Sequence, residues 1–154
     1  MAKKKTEDKT EAGLRTIICG PRDFFDSDVV FAAIEKSGFN ISEVVSGAAK
    51  GVDTIGEHWA REKTIPVKQF VPDWNNVDAV GAVVKRGQYG PYNAKAGFDR
   101  NQQMAEYAEA MIAIDDDTPG TGDMIERAEK AGLKIFIYRP NEQAGADDKY
   151  LFYL

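Results

Sequence analysis

The chain has 154 residues, of which 43% are hydrophobic and 29% are charged, and its formal net charge at pH 7 is −5. These values are ordinary for a globular protein, and the length fits one domain with a sizeable core. No apolar run approaches the roughly 20 residues that a helix needs to cross a bilayer. The acidic balance argues mildly against a protein that coats nucleic acid through a basic face.

The first residues and the cysteine content indicate the compartment. Residues 1–13 are polar and lysine-rich with no apolar segment behind them, so we predict a disordered tail and no signal peptide. Cys19 is the single cysteine, which rules out an intramolecular disulfide and fits a reducing environment. We therefore expect a cytoplasmic protein.

Two strand-turn-helix units open the ordered part of the chain. Residues 14–19 form a short β-branched run, and a helical pattern over residues 27–36 follows it. A second strand is predicted at residues 43–45, and an apolar helical stripe begins at Val52. A third strand is predicted at residues 65–71.

A long segment of weak periodicity then interrupts this alternation. Residues 73–96 contain scattered glycines, a proline and aromatic residues, and such a segment inside a domain is either a functional loop or a surface insertion. A helix is predicted at residues 99–109 and a buried strand at residues 110–114, so the alternation resumes there.

The last unit follows the same pattern. A helix is predicted at residues 123–131, and a strand is predicted at residues 133–138. Residues 140–154 form a polar tail that ends in five apolar residues, Tyr150–Leu154. We expect this apolar end to dock on the domain or to mediate homo-oligomerisation.

Strands that alternate with helices predict an α/β fold with a parallel sheet, because right-handed crossovers place helices on both faces. We therefore predict a Rossmann-like three-layer sandwich over residues 14–139, with a mainly parallel five-stranded sheet. In such folds ligands bind beyond the carboxyl ends of the strands. The unusual turns of this chain all follow strands, so we expect them to converge on that edge.

One of these turns has the features of an anion site. Residues 115–123 read Asp-Asp-Asp-Thr-Pro-Gly-Thr-Gly-Asp and join a predicted strand to a predicted helix. Backbone N–H groups at a helix start attract anions, and Pro119-Gly120 lets the backbone approach a ligand. Thr121 adds a hydroxyl group. An acidic, solvated turn with a helix cap would explain the same residues, so the loop alone leaves both interpretations open.

Five motifs occur in order over roughly residues 15–138, namely Gly20–Phe24, Ser46–Asp53, Pro72–Trp74, Ala96–Met104 and Gly120–Ile125. Together they resemble the YspA-like branch of the SLOG superfamily, which groups DprA/SMF proteins, LOG cytokinin-activating enzymes and related Rossmann-like folds. The resemblance implies a Rossmann-like fold with a pocket for a nucleotide or a nucleotide-derived ligand.

The same turns supply the candidate ligand-binding residues. Arg22 and Arg100 present planar guanidinium groups that suit a phosphate, although surface ion pairs would use them equally well. Asp53 either binds a ribose hydroxyl or favours the helix dipole. Trp74 either stacks on a base or anchors packing. The full set is Gly20, Arg22, Asp23, Ser46, Gly47, Gly51, Asp53, Trp74, Arg100, Asn101, Asp115, Pro119, Gly120, Thr121 and Gly122.

Any catalytic role is implied by the resemblance to LOG enzymes, which hydrolyse the N-glycosidic bond of nucleoside 5′-monophosphates. Arg100 matches their arginine, but Met124 occupies the position of their glutamate, so their mechanism does not transfer. If the chain is an enzyme, we expect a phosphoribohydrolase-like nucleotide N-glycosidase. In that case Arg100 holds the substrate and Asp53 or Asp123 supplies the carboxylate, with Asp115 as a further candidate.

The sequence thus predicts a protein that binds a nucleotide or a nucleotide-derived small molecule, as a sensor, a sequestering protein or an N-glycoside hydrolase. We expect no metal, since the sequence has no Cys/His ligand cluster. We also expect no cofactor, and we expect no membrane partner because no apolar run is long enough to cross a bilayer. The alternative is DprA-like binding of single-stranded DNA, which needs a basic groove with stacking aromatic residues. The cations available for such a groove are Lys50, Arg61, Lys63, Lys85, Arg86 and Lys95.

Overall fold

Alternating strands and helices make up the computed structural model of the chain, which describes residues 12–140 and 150–153. All but the last two residues of the predicted N-terminal tail lie outside the described residues, as do residues 141–149 and 154 of the predicted C-terminal tail. In chain order the elements are β1 (Leu14–Cys19), α1 (Ser27–Ser37), β2 (Ile41–Ser46), α2 (Val52–Glu62), β3 (Val67–Gln69), β4 (Val84–Gly87), β5 (Gly90–Asn93), α3 (Ala96–Tyr107), β6 (Ala110–Ile114), α4 (Pro119–Lys130), β7 (Lys134–Tyr138) and β8 (Tyr150–Tyr153).

Within the described residues, six strands form the main sheet, in the order β3-β2-β1-β6-β7-β8. The first five are parallel, which confirms the predicted five-stranded parallel sheet. β3 is shorter than the strand predicted at residues 65–71. β8 is an additional strand that pairs antiparallel with β7, with Tyr150 opposite Tyr138. The strand order reverses between β1 and β6, so the switch point of the fold lies at their carboxyl ends.

The central strands are buried on both faces. β6 reads Ala-Met-Ile-Ala-Ile and every one of its residues is buried, which is typical of a parallel strand covered by helices on both sides. Successive side chains of β1 point to opposite faces. Ile17 packs with Met104 and Met124, whereas Ile18 packs with Val30 and Trp59. Helices α3 and α4 therefore cover one face of the sheet, and α1 and α2 cover the other.

Helix boundaries follow local capping signals. The Asp26 carboxylate caps α1 by accepting a hydrogen bond from the Val29 N–H at 3.3 Å, and the helix ends at Gly38. α4 begins at Pro119 and not at the predicted Asp123, because a proline in the first turn loses no helical hydrogen bond. α3 likewise begins at Ala96, before its predicted start. No helix in the described part of the chain is long and apolar enough to cross a membrane.

Residues 73–96, which were predicted to be irregular and to form a functional loop or a surface insertion, contain a β-hairpin. β4 and β5 pair antiparallel and form a sheet of their own. Asn93 anchors the base of the hairpin, since its N–H donates to the Trp74 carbonyl at 2.6 Å and its side-chain oxygen accepts from the Val83 N–H at 3.1 Å. We call residues 79–95 the hairpin arm.

Candidate functional site

A cleft of about 960 Å³ opens at the carboxyl ends of the parallel strands, beside the switch point. Its walls are the turns after β1, β2 and β3, together with the starts of α3 and α4. These are the turns that the sequence analysis expected to converge. The lining of the cleft comes from the segment before α1 and the start of α2, whose helices pack on one face of the sheet, and from the starts of α3 and α4, whose helices pack on the other.

The structure brings most of the predicted ligand-binding residues together in this cleft. Those that line it are Gly20, Arg22, Asp23, Gly47, Asp53, Trp74, Arg100, Asn101, Pro119, Gly120 and Thr121. Five predicted residues are not among the lining residues, and these are Ser46, Gly51, Asp115, Gly122 and Asp123.

Two of the predicted carboxylates outside the cleft lining are engaged by arginine side chains. Asp115 accepts a hydrogen bond from Arg139 Nε at 3.1 Å, and its other oxygen accepts from the N–H of Asp117. Asp123 Oδ2 accepts from Arg127 Nε at 2.8 Å and also from the side-chain amide of Asn101. Both carboxylates therefore hold loops and helices in place, a role that sequence spacing did not reveal.

Gly51 does not line the cleft, but it allows the turn after β1 to contact the start of α2. It has a φ of 76°, and a Cβ at this position would overlap the Pro21 carbonyl and lie 2.6 Å from the carbonyl oxygen of Arg22. The N–H of Val52 donates to the same Pro21 carbonyl at 3.3 Å. Glycine at position 51 thus lets the turn that carries Arg22 and Asp23 rest on the start of α2.

A buried carboxylate that the sequence analysis missed shapes the turn after β2. Glu57 Oε2 accepts a hydrogen bond from Ser46 Oγ at 2.6 Å and another from Gln69 Nε2 at 2.9 Å. Ser46 Oγ in turn accepts from the N–H of Ala48 at 3.0 Å. Ser46 therefore supports the cleft wall from below instead of facing a ligand. A glutamate within the apolar stripe of α2 was the signal that this residue is structural.

Arg100 ties three parts of the cleft together. Its Nη1 donates to the carbonyl of Gly47 and, at 3.4 Å, to the carbonyl of Phe70. Its Nε donates to Asn101 Oδ1 at 3.0 Å, and Asn101 Nδ2 reaches the carbonyl of Gly120 at 3.4 Å. Burial lowers the pKa of Arg100, although the carboxylate of Asp53 opposes that effect. The guanidinium group is thus held in a fixed position at the cleft wall.

Asp53 lies at the floor of the cleft and is only 6% exposed. Its Oδ2 accepts a hydrogen bond from the N–H of Ala49 at 3.2 Å. Burial raises the pKa of Asp53 to about 7, against the lowering effects of the Ala49 N–H and the Arg100 charge. A carboxyl group that changes its charge near neutral pH is suited to proton transfer or to hydrogen bonding with ligand hydroxyls.

Aromatic side chains form part of both cleft walls and remain exposed. Phe25 is 66% exposed, Trp74 is 40% exposed and Phe98 is 42% exposed. The Trp74 ring makes an edge contact with Tyr92, with 6.2 Å between the ring centroids. It also packs against Gly97, where an added Cβ would lie 2.9 Å from the indole. Tyr92 thus supports Trp74 and is not itself a lining residue.

Several other lining residues were not predicted as site residues, and most of them are of types that carry no chemical signal alone. Cys19 is buried, and burial raises its pKa, so its thiol is protonated at neutral pH. Met104 and Met124 line the cleft from α3 and α4. The signal available in the sequence for these residues was their position, either directly after a strand or in the first turns of a helix. The full set missed is Cys19, Pro21, Phe25, Ala48, Ala49, Lys50, Pro72, Ala94, Gly97, Phe98, Met104, Thr118 and Met124.

The cleft therefore combines cations, one buried carboxylate and aromatic surface. Arg22, Lys50 and Arg100 line it, and the start of α4 contributes the positive end of a helix dipole. Asp23 and Asp53 are the acidic lining residues. This mixture suits a small ligand that has an anionic group, hydroxyl groups and a flat ring.

Comparison with known proteins supports the assignment of a Rossmann-like fold. The chain has the fold of the X-ray structure of DNA processing protein A (DprA) from Streptococcus pneumoniae, with a TM-score of 0.63 and 18% sequence identity. The similarity covers 89% of this chain and 54% of that chain, so this chain spans about half the length of DprA. No curated protein sequence matches the chain.

A family model gives a more specific result. The model described as the YspA, cpYpsA-related SLOG family matches residues 14–76, which include the turns after β1 and β2 and the start of the segment that carries Trp74. The match confirms the predicted resemblance to the YspA-like branch of the SLOG superfamily over these residues.

Proposed function

We propose that the chain binds a nucleotide or a nucleotide-derived small molecule in the cleft, as a sensor, a sequestering protein or an N-glycoside hydrolase. The ligand-binding unit in this proposal is the Rossmann-like domain at residues 14–139. The observation that carries it is the convergence of Arg22, Lys50 and Arg100 with the start of α4 around one cleft. Guanidinium groups and helix starts both favour phosphate, and a volume of about 960 Å³ suits a small-molecule site.

Calorimetric titration against mono-, di- and cyclic nucleotides, NAD and ADP-ribose tests this proposal. We expect at least one of these compounds to bind with a Kd below about 1 mM. Arg22→Ala should weaken that binding by about 10-fold or more, because an exposed charge-assisted phosphate contact is lost. Arg86→Ala, which removes an exposed arginine of the hairpin arm outside the cleft, is the matched control and should have no effect. Absence of any binder at millimolar concentration would overturn the proposal.

The buried carboxyl group of Asp53 favours a hydrolytic version of the same function. In this version water adds to C1′ of a nucleoside 5′-monophosphate while the base leaves and takes a proton, giving the free base and ribose 5-phosphate. Asp53 would take the proton from water or stabilise positive charge on the sugar. Asp53 is a better candidate for this role than Asp123, because Asp53 lines the cleft whereas Asp123 does not and is paired with Arg127. Met124 offers no carboxylate in this chain.

Chromatographic detection of free base tests the hydrolytic version. Asp53→Asn should lower the rate of base release by several orders of magnitude, because the carboxylate acts mainly in the transition state. The same substitution should leave ligand binding largely intact. Asp123→Asn serves as the comparison and should retain most activity. Undetectable base release from every purine and pyrimidine 5′-monophosphate would leave the binding function alone.

The alternative function, single-stranded DNA binding, is favoured by the charge of the hairpin arm. Residues 79–95 include Lys85, Arg86 and Lys95 and no acidic residue, in a chain whose net charge is −5. The fold neighbour is a DNA processing protein, although that likeness concerns the fold alone. Fluorescence anisotropy with a labelled oligothymidylate at low salt tests this function. Binding that Lys85→Ala and Arg86→Ala weaken together would support it, and no binding at low salt would remove it.

A further inference from the structure

We propose that the ligand of the cleft carries two ring systems joined by a phosphate-containing linker, with one ring stacked on Phe25 and the other on Trp74 and Phe98. This inference rests on the proposed function, because it specifies the class of ligand that the same cleft binds. Its basis is the placement of exposed aromatic side chains on both walls.

The aromatic side chains belong to opposite helical layers. Phe25 lies directly before Asp26, the cap of α1, and α1 packs on the sheet face that contains Ile18. Phe98 lies in the first turn of α3, which packs on the face that contains Ile17. Trp74 rests on the start of α3 beside Gly97. The cleft is lined by residues associated with both layers, so we place the rings on opposite sides of it.

These rings are exposed although they are large and hydrophobic. Phe25, Trp74 and Phe98 all belong to the large hydrophobic side chains that remain exposed in the structure. Flat apolar surface inside a cleft favours stacking with a planar ligand, and each such stack contributes roughly 1–3 kcal/mol in nucleic-acid complexes. Trp74 is also fixed in orientation by Tyr92 and Gly97, so its face is preformed.

Cationic residues line the cleft within three sequence positions of Phe25 and of Phe98. Arg22 is in the same turn as Phe25, and Arg100 is in the same helix turn as Phe98. Lys50 lines the cleft from the turn after β2. A phosphate-containing linker between two rings would meet these cations along its length. The cleft volume of about 960 Å³ is near the upper end of the range for small-molecule pockets, which leaves room for two rings.

The test compares NAD, which has two aromatic rings, with ADP-ribose, which keeps the diphosphate and both sugars but lacks the second aromatic ring. Calorimetry should give a Kd for NAD at least about 10-fold lower than that for ADP-ribose. Phe25→Ala and Phe98→Ala should each bring the affinity for NAD close to that for ADP-ribose. Tyr89→Ala removes a ring that is 94% exposed outside the cleft and should change neither affinity.

A second measurement needs no variant. The two tryptophans differ in exposure, since Trp74 is exposed in the cleft and Trp59 is buried in the core. A ring stacked on Trp74 should quench the exposed component of the fluorescence, and NAD should quench it at lower concentration than ADP-ribose does.

Three outcomes would overturn the inference. Equal affinity for NAD and ADP-ribose would show that the second ring is not bound, while the proposed function would stand. Equal loss of ADP-ribose affinity in Phe25→Ala and Phe98→Ala would mean that both walls grip one ring, which contradicts the two-ring arrangement. Failure of every nucleotide to bind would overturn the proposed function and this inference together.

Discussion

Asp53 and Arg100 bring opposite charges close to Gly47 at the floor of the cleft. A Cβ at Gly47 would lie 2.9 Å from Asp53 Oδ2 and would overlap the Arg100 guanidinium, so only glycine leaves space for both groups. Burial is the main cause that raises the pKa of Asp53 to about 7, and the charge of Arg100 partly offsets it. The charge balance of the cleft floor therefore changes near neutral pH.

The pKa of Asp53 predicts how stability depends on pH. In the unfolded chain the carboxyl group loses its proton near its ordinary pKa of 3.8, whereas in the folded chain it keeps the proton up to about pH 7. The contribution of Asp53 to stability is therefore fully present below pH 3.8 and is lost as the pH rises to about 7. We expect the free energy of unfolding to fall more between about pH 5 and pH 8 in the wild type than in Asp53→Asn.

Urea denaturation at several pH values measures this difference. Asp23→Asn, which removes an exposed carboxylate from the same cleft, is the control and should keep the pH dependence of the wild type. If Asp53→Asn also keeps that pH dependence, then Asp53 titrates normally in the folded protein and the prediction is wrong.

At the scale of single residues, the sequence predicted positions better than it predicted partners. Asp53, Arg100 and Asn101 line the cleft, as expected for residues that follow a strand or lie near the start of a helix. Asp115 and Asp123 also follow that rule, but Arg139 and Arg127 pair with them. Arg139 is 24 positions from Asp115, so local spacing could not reveal the pair.

At the scale of elements, the start of α2 determines how the first two turns meet. Gly51 has a φ of 76° and a ψ of −127°, a conformation that only glycine adopts without strain. Its position against the carbonyl groups of Pro21 and Arg22 adds a steric restriction to the conformational one. A side chain at position 51 must therefore separate α2 from the turn after β1.

Gly51→Ala tests the steric restriction with a matched control in the same chain. Gly38 has a φ of 68°, but nothing lies within 4 Å of a Cβ built on it, so Gly38→Ala should cost about 1–2 kcal/mol from backbone strain alone. Gly51→Ala should cost about 1–3 kcal/mol more, because it adds overlap with backbone atoms. Urea midpoints measure both values, and equal losses for the two variants would contradict this account.

Strands with strong apolar patterns were predictable, and exposed strands were not. β6 is a continuous apolar run and β1 is a short β-branched run, so both strands were predicted with the bounds that the structure shows. Every residue of β4 is exposed, so its sequence lacks the alternation of apolar and polar residues that a half-buried strand shows. The hairpin is stabilised by strand pairing and by Asn93, and neither produces a periodic signal. The helix bounds of α4 differed because Pro119 was interpreted as part of a loop.

At the scale of the whole molecule, β8 determines what is exposed at one edge of the sheet. β7 pairs with β6 on one side and with β8 on the other, so β8 satisfies backbone groups that would otherwise remain open. Unpaired strand edges are templates for association with other chains. The apolar end of the chain was expected to dock or to mediate oligomerisation, and its backbone pairing with β7 agrees with docking.

Truncation before Tyr150 should lower the free energy of unfolding and raise the sedimentation coefficient in a concentration-dependent way. Loss of β8 removes one set of ladder hydrogen bonds and leaves β7 as an open edge. Analytical ultracentrifugation of the full and truncated chains at matched concentrations measures the second effect. A full chain that is oligomeric and a truncated chain that is monomeric would contradict this prediction and would favour oligomerisation through the tail.

Strand order was the part of the global fold that the sequence could not supply. Helix and strand alternation predicted a parallel sheet, but the reversal between β1 and β6 depends on which crossover places α3 on the second face. That choice is made by packing between distant residues such as Ile17 and Met104. The convergence of the turns followed from parallel strands alone, so the cleft edge was predictable before the order was known.

Because Cys19 is buried and lines the cleft, the reactivity of its thiol should report whether a ligand occupies the cleft. Alkylating reagents react with thiolates, and the raised pKa and limited access of this thiol should make its reaction slow at neutral pH. Because the sequence has a single cysteine, the mass added to the intact chain counts modification at that position alone. A ligand that fills the cleft should slow the labelling further, so labelling rates measured by mass spectrometry would yield a binding isotherm without mutation. A compound that binds by calorimetry but leaves the labelling rate unchanged must bind elsewhere on the protein.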